Sequence, residues 1–256
     1  MVKKIRLWST DFDGTLIGKD GRCLPELDEA LVAHKAGGGL WAVNTGRDFP
    51  FACVGLEKFG ASVMPDFLMS NEREIFRAGT SGGWEDYGGW NRRCAEIHDR
   101  LFLEAAEFFA YTERHFGQRR DFEIIRDEAE RFVGIVAPSQ QVLAGAIDEI
   151  REFAKEFPEV SFQHNSVFLR FCHASYDKGV ALAELCRLEN LTPAEVFAVG
   201  DQPNDLSMLK LECAAALACP ANAGDDVKAA VRRGNGFVAS RPYGLGVVDA
   251  IRHFHY

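Results

Sequence analysis

Short apolar runs that each stop on a polar residue constrain this chain more than any other feature. Ile5–Thr10 stops at Asp11, Leu40–Asn44 at Thr45 and Val196–Gly200 at Asp201, and Asp66–Ser70 is a further run of the same kind. Stretches with helical spacing lie between them: Leu24–Ala36, closed by Gly37-Gly38-Gly39, then a helix ending near Lys58, and Lys178–Glu189. A strand of this kind is covered on both faces, and strands alternating with helices predict an α/β fold with a parallel sheet between helical layers. Further elements of the same alternation are expected at Pro203–Leu211 (helix), Ala214–Ala218 (strand), Asp225–Arg233 (helix) and Phe237–Ala239 (strand), with a closing helix from Gly246.

The middle of the chain reads differently. Gly79–Gly89 is rich in Gly and aromatic residues and is expected to be a loop, followed by one long amphipathic helix over Asn91–Phe116. Strands at Phe122–Arg126 and Arg131–Val136, a helix at Gln140–Phe157, and strands at Val160–His164 and Val167–Cys172 complete a twice-repeated helix–strand–strand unit. Such a unit predicts a small open antiparallel sheet with its helices on one face. The expected organisation is therefore a discontinuous main domain, residues 1–70 and 175–256, with an inserted α+β domain (αββαββ) over 71–174.

Charge and cysteine content narrow the classes of function. Lys plus Arg number 29 against 38 Asp plus Glu, a net charge of -9, which argues against nucleic acid as a partner because a duplex-binding surface is basic. The 7 cysteines are scattered without a C-x-x-C pair, so reduced thiols and a cytoplasmic location are expected. No apolar run approaches a membrane span or a secretory h-region, so no membrane partner is expected.

The polar stops carry the chemistry. Asp11-Phe12-Asp13-Gly14 sets two carboxylates one residue apart at a strand's carboxyl end, where parallel sheets bind ligands. One carboxylate can attack while the other moves protons, although Asp-Gly turns also occur as simple punctuation. Thr45-Gly46-Arg47 offers a hydroxyl and helix-start amides to a phosphoryl oxygen, or merely caps a helix. Asp177-Lys178-Gly179 places an ammonium at a helix start, where a surface lysine is the ordinary alternative. Gly200-Asp201-Gln202-Pro203-Asn204-Asp205 supplies hard oxygen ligands of the type that suit Mg²⁺.

These motifs, in this order, resemble the haloacid dehalogenase-like superfamily over roughly residues 1–70 and 175–256. The inserted unit is similar to the cap of Cof-type sugar-phosphate phosphatases and sucrose-phosphatase relatives. The resemblance implies a Rossmann-like doubly wound core and a Mg²⁺-dependent phosphatase acting on a small phosphorylated metabolite, in a monomer or small homo-oligomer. It also implies roles: Asp11 as nucleophile, Asp13 as general acid/base and metal ligand through its carbonyl, and Thr45 with Gly46 as phosphate binders. Lys178 neutralises charge and contacts the phosphate, Asp201 and Asp205 complete the metal site, and Asn204 and Arg47 support it indirectly. One departure stands out: family members often carry Asn-Gly after the third strand, and this chain has Asn71-Glu72, which bears on the hinge and on what is tolerated near the leaving group. Arg73, Arg92, Arg93, Arg114, Arg119 and Arg120, with Trp84 and Trp90, are candidate substrate contacts of the inserted region. A phosphohexomutase resembling phosphomannomutase, and an idle regulator that binds a phosphorylated ligand, are the rival readings.

Overall fold

A computed structural model describes residues 4–80 and 82–254. Its first half runs β1 (Leu7–Thr10), α1 (Pro25–Ala36), β2 (Leu40–Asn44), α2 (Phe49–Phe59), β3 (Phe67–Ser70), β4 (Glu74–Ala78) and β5 (Trp84–Asp86). There follow α3 (Trp90–Glu104), α4 (Ala106–Gly117), β6 (Glu123–Arg126), β7 (Phe132–Val136), α5 (Gln140–Phe153), β8 (Val160–Asn165) and β9 (Phe168–His173). The last part comprises α6 (Lys178–Leu188), β10 (Val196–Val199), β11 (Ala216–Cys219), α7 (Asp225–Arg233), β12 (Phe237–Val238) and α8 (Tyr243–Phe254). The chain divides into two compact units, one running to Asn91 and resuming at Lys178, the other Arg92–Asp177.

In the larger unit the strand order is β12-β11-β10-β1-β2-β3-β4-β5, parallel from β12 through β3. Side chains alternate faces with the period of the pleat. Trp8, Trp41, Val43, Phe197 and Val199 pack with α1, α2 and α8 on one side, through residues such as Leu27, Leu56 and Val248. Leu7, Ala42, Val196 and Ala198 pack with α6 and α7 on the other, through Leu182, Leu185, Val227 and Val231. This is the doubly wound α/β core the apolar runs predict. Connections leave β1 toward β2 on one side, while β10 continues toward β11 on the other. The sheet's crevice therefore opens between the carboxyl ends of β1 and β10, the place where such sheets receive ligands.

Three local expectations differ from the structure. Residues 79–89 are not simply a loop: β4 and β5 extend the sheet antiparallel, and Gly82 and Gly83, at φ 85° and 84°, form the turn between them. The glycines that read as a loop are hairpin punctuation, since only glycine enters that backbone region freely. The helix expected over Asn91–Phe116 is two helices that part at Ala105, which has φ -106° and ψ 28°, with no Gly or Pro to mark the break. The helix expected over Pro203–Leu211 is a short 3₁₀ turn at Pro203–Asp205 followed by further tight turns, closed by bonds such as Met208 N–H to Asp205 O.

The smaller unit has a four-stranded antiparallel sheet, order β6-β7-β9-β8. Its own core joins Ile135, Leu169 and Phe171 to Phe108, Phe109 and Phe116 of α4 and Leu143, Ile147 and Ile150 of α5. Arg119 is tied there by Glu149 at 3.2 Å, and Arg92 pairs with Glu96 at 3.8 Å. Among the described residues no helix is long and apolar enough to cross a membrane.

Candidate active site

The carboxyl ends of β1 and β10 and the start of α6 bring four charged side chains together. Asp11 follows β1, and its N–H donates to Val199 O at 2.9 Å, which locks the loop to β10. Lys178 opens α6, where Asn44 Nδ2 donates to its carbonyl at 3.0 Å. Its ammonium donates to Asp11 Oδ1 and to Asp205 Oδ1, each at 2.6 Å, and the lysine side chain is wholly buried. Asp205 Oδ2 accepts the N–H groups of Asp201 and Gln202 at 2.8 and 2.9 Å. Both oxygens of Asp205 are thus committed to the protein itself. Asp201 Oδ1 accepts from Thr15 Oγ1 at 2.9 Å, while among the described residues its Oδ2 has longer contacts, to Gln202 Nε2 at 3.2 Å and Asn222 Nδ2 at 3.4 Å.

Two glycines make the cluster possible. At Gly14, φ is +80° and a Cβ would lie 2.4 Å from Asp201 Oδ2. At Gly200 a Cβ would lie 2.4 Å from the Asp205 carboxyl carbon. Any larger residue at either position would push a carboxylate out of the site.

Ligand oxygens of Asp11, Asp201 and Asp205 lie within 4.8 Å of one another, all buried. Burial raises the Asp11 pKa well above the usual range, the Asp205 carboxylate adds to this, and Lys178 opposes it. Burial and Asp205 likewise push Asp201 up to about 6. For Lys178, burial works against the charge, but Asp11 and Asp205 overcome it and hold the group protonated above the ordinary lysine range. Three buried carboxylates facing one ammonium are short of positive charge, and an all-oxygen donor set suits a hard divalent cation. The residues fit such an ion.

Other expected residues occupy a rim around this cluster. Asp13, with its side chain 47% exposed, does not join the three carboxylates; Arg47 grips it from Nε at 2.7 Å and Nη2 at 2.6 Å. The guanidinium lies 5.0 Å from the Phe12 ring centre and 4.7 Å from that of Phe51, so both rings help to fix it. Thr45 is buried, and its Oγ1 accepts the Arg47 N–H at 3.2 Å. Asn204 Nδ2 donates to Glu72 Oε1 at 2.7 Å, and Gly46 sits beside the same carboxylate, with a Cβ position 2.9 Å from that oxygen. Burial raises the Glu72 pKa, against the pull of Lys178 and Asn204.

Thr15, Asn222 and Glu72 had no assigned place among the expected site residues. Thr15 directly follows Asp11-Phe12-Asp13-Gly14 in the chain, so its place next to the motif is a local signal. Asn222 comes from the loop after β11 and has no motif around it; its Nδ2 also donates to Gly14 O at 2.8 Å.

Residues 97–236, more than half of the chain, match the haloacid dehalogenase-like hydrolase family. The chain belongs to that family. It is an enzyme of the phosphatase class. Among curated relatives, a phosphoglycolate phosphatase of Methanobrevibacter smithii is 24% identical over 246 residues, covering 96% of this chain and 97% of that protein. A phosphoglycolate phosphatase of Thermoplasma volcanium is 39% identical over 79 residues, covering 31% of this chain and 33% of its own. The fold of this haloacid dehalogenase-like hydrolase matches that of solved structures. The sucrose-phosphatase of Synechocystis sp. PCC6803, solved with sucrose and phosphate, superposes with a TM-score of 0.75 at 20% identity and 99% coverage of both chains. The subclass IIB sugar phosphatase BT4131 gives 0.69 at 17% identity, covering 98% of this chain and 99% of its own.

Proposed function

We propose that this enzyme hydrolyses a small phosphomonoester, a sugar phosphate or a similar metabolite, through a phosphoryl intermediate on Asp11, with Mg²⁺ as cofactor. The observation that carries this reading is the buried convergence of Asp11, Lys178, Asp201 and Asp205 from three separated stretches of chain. Asp11, Asp201 and the Asp13 carbonyl are the groups to hold Mg²⁺, with Asp205 in support. When bound, the ion offsets negative charge on the phosphoryl oxygens, the dominant need in phosphoryl transfer.

The remaining steps belong to the chain. The free Asp11 carboxylate oxygen attacks phosphorus, forming a new P–O bond as the ester P–O bond breaks. Asp13 gives its proton to the departing alcohol oxygen, then takes one from the water that attacks the Asp11 phosphoryl group, releasing orthophosphate and restoring Asp11. Arg47 fixes where the Asp13 carboxyl stands. Thr45 and the Gly46 amide orient the phosphoryl group, and Lys178 favours the ionised form of Asp11 against the effect of burial. Residues 92–177 are assigned the role of cap, as an insertion between the Thr45 and Lys178 motifs.

The test is phosphate release from a panel of sugar phosphates, phosphoglycolate and p-nitrophenyl phosphate, with Mg²⁺ and with EDTA. Asp11→Asn is expected to lose all turnover while folding normally. Substantial turnover in that variant would overturn the reading.

A further inference from the structure

Glu72 is a fourth carboxylate beside the cluster, at a position whose backbone favours glycine. Asn71 and Glu72 both have left-handed backbones, φ 50° and 61°. For a non-glycine residue this conformation costs free energy, and it persists only where the surroundings impose it. Here they do: Asn71 N–H donates to Arg47 O at 2.8 Å, and Glu72 N–H donates to Thr45 O at 3.1 Å. The tethering turns the Glu72 side chain inward, where 8% of the residue remains exposed and its carboxylate lies between Gly46 and Asn204.

The pairing also fixes Asn204. A carboxylate accepts and cannot donate, so the amide must present Nδ2 to Glu72. Asn204 Oδ1 is then left buried with no hydrogen-bond partner among the described residues. A buried acceptor without a donor is an unmet demand in the site. Next to the Thr45–Gly46 turn the chain thus sets one negative charge and one open acceptor.

We propose that Glu72, acting with Asn204, determines specificity: it selects phosphomonoesters whose leaving group is an uncharged, hydroxyl-bearing alcohol and disfavours those whose leaving group carries a carboxylate. This rests on the phosphatase reading above. A hydroxyl can donate to Asn204 Oδ1 or to Glu72, whereas a second carboxylate can only be repelled in a buried, weakly screened setting. Substrate discrimination of this type comes from unpaired or like-charged groups left in the site.

The measurement is the ratio of kcat/KM for glycerol 3-phosphate over 2-phosphoglycolate, in the wild type, Glu72→Gln and Glu72→Gly, with Mg²⁺ present. Glu72→Gln keeps shape and removes charge; Glu72→Gly removes the side chain and relieves the backbone. Both are expected to shift the ratio toward 2-phosphoglycolate by about tenfold or more, as expected for loss of one like-charge contact. A ratio unchanged within about twofold in both variants overturns the proposal, and so does an equal gain on both substrates, which would make Glu72 a simple competitor for the phosphoryl group. Equilibrium binding of the two esters to Asp11→Asn protein, with and without Glu72→Gln, reads the same preference without turnover. If wild type fails to hydrolyse p-nitrophenyl phosphate, the phosphatase reading falls, while the binding preference still decides the role of Glu72.

Discussion

Lys178 Nζ sits 2.6 Å from a carboxylate oxygen of Asp11 and 2.6 Å from one of Asp205, with no solvent exposure of its side chain. A buried ammonium shared by two carboxylates is costly to break, because removing it leaves uncompensated charge in the interior. Lys178→Met is therefore expected to destabilise the protein by about 3 kcal/mol as well as abolish turnover. Urea unfolding of the metal-free protein checks this. A Lys178→Met midpoint equal to wild type would mean that the lysine does not neutralise the cluster.

Asp201 and Asp205 are not equivalent, although both were expected as metal residues. Asp205 spends one oxygen on Lys178 and the other on two backbone N–H groups, whereas among the described residues Asp201 Oδ2 has contacts of 3.2 and 3.4 Å. Asp201 is thus free to ligate, and Asp205 is the strut that shapes the loop. Asp201→Asn should weaken Mg²⁺ binding by about tenfold or more beyond the effect of Asp205→Asn. Asp205→Asn should instead lower the stability of the metal-free protein by about 2 kcal/mol, since one acceptor of buried N–H groups is compromised. Titration calorimetry and thermal melts separate the two; identical behaviour of the variants would remove the distinction.

The same cluster fixes the sign of a pH effect. Asp201 is pushed from an ordinary 3.8 up to about 6, and Asp11 and Glu72 are raised as well. The native state then holds more protons than the unfolded chain between about 4 and 6, so stability falls as pH rises through that window. For Asp201 alone the penalty reaches roughly 3 kcal/mol once the group is ionised. The raised Lys178 has the same sign, but its stabilising contribution is lost only as pH rises in the alkaline range. Metal-free protein should melt at a higher temperature at pH 5 than at pH 7.5. Mg²⁺ should raise the melting temperature more at pH 7.5, where fewer protons compete with it for the carboxylates. A metal-free melting temperature that climbs from pH 5 to 7.5 would contradict the crowding of charge.

The polar ends of β1, β2 and β10 were legible in the sequence because apolar strands and their sharp stops are local signals. The alternation of Leu7 with Trp8, or Ala198 with Phe197, follows from the same short runs. What escaped was decided by tertiary contact. The strand Trp84–Asp86 exists because β4 offers it an edge, and the glycines before it read equally well as a loop. Asn222 reaches Gly14 and Asp201 from the loop after β11, a closeness no spacing encodes. Glu72 was visible as a departure from Asn-Gly, but its inward aim depends on bonds to Thr45 and Asn204 that only the fold supplies.

Arg47 offers the sharpest separation of positioning from chemistry. Its two-pronged bond to Asp13, braced by Phe12 and Phe51, is a geometry lysine cannot copy. If Asp13 must protonate the departing alcohol, its placement matters most when that alcohol is a poor leaving group and little when it is p-nitrophenolate. Because kcat/KM reports only steps through the first irreversible one, the later need for Asp13 as a base does not obscure the comparison. Arg47→Ala and Arg47→Lys are each expected to lower kcat/KM for an alkyl phosphate by about 10²-fold, within the range typical of a positioned acid. For p-nitrophenyl phosphate the loss should stay below about tenfold, because the acid's share of the barrier is absent there. Equal losses on the two substrates would assign Arg47 to phosphate binding instead and leave the placement of Asp13 to other groups.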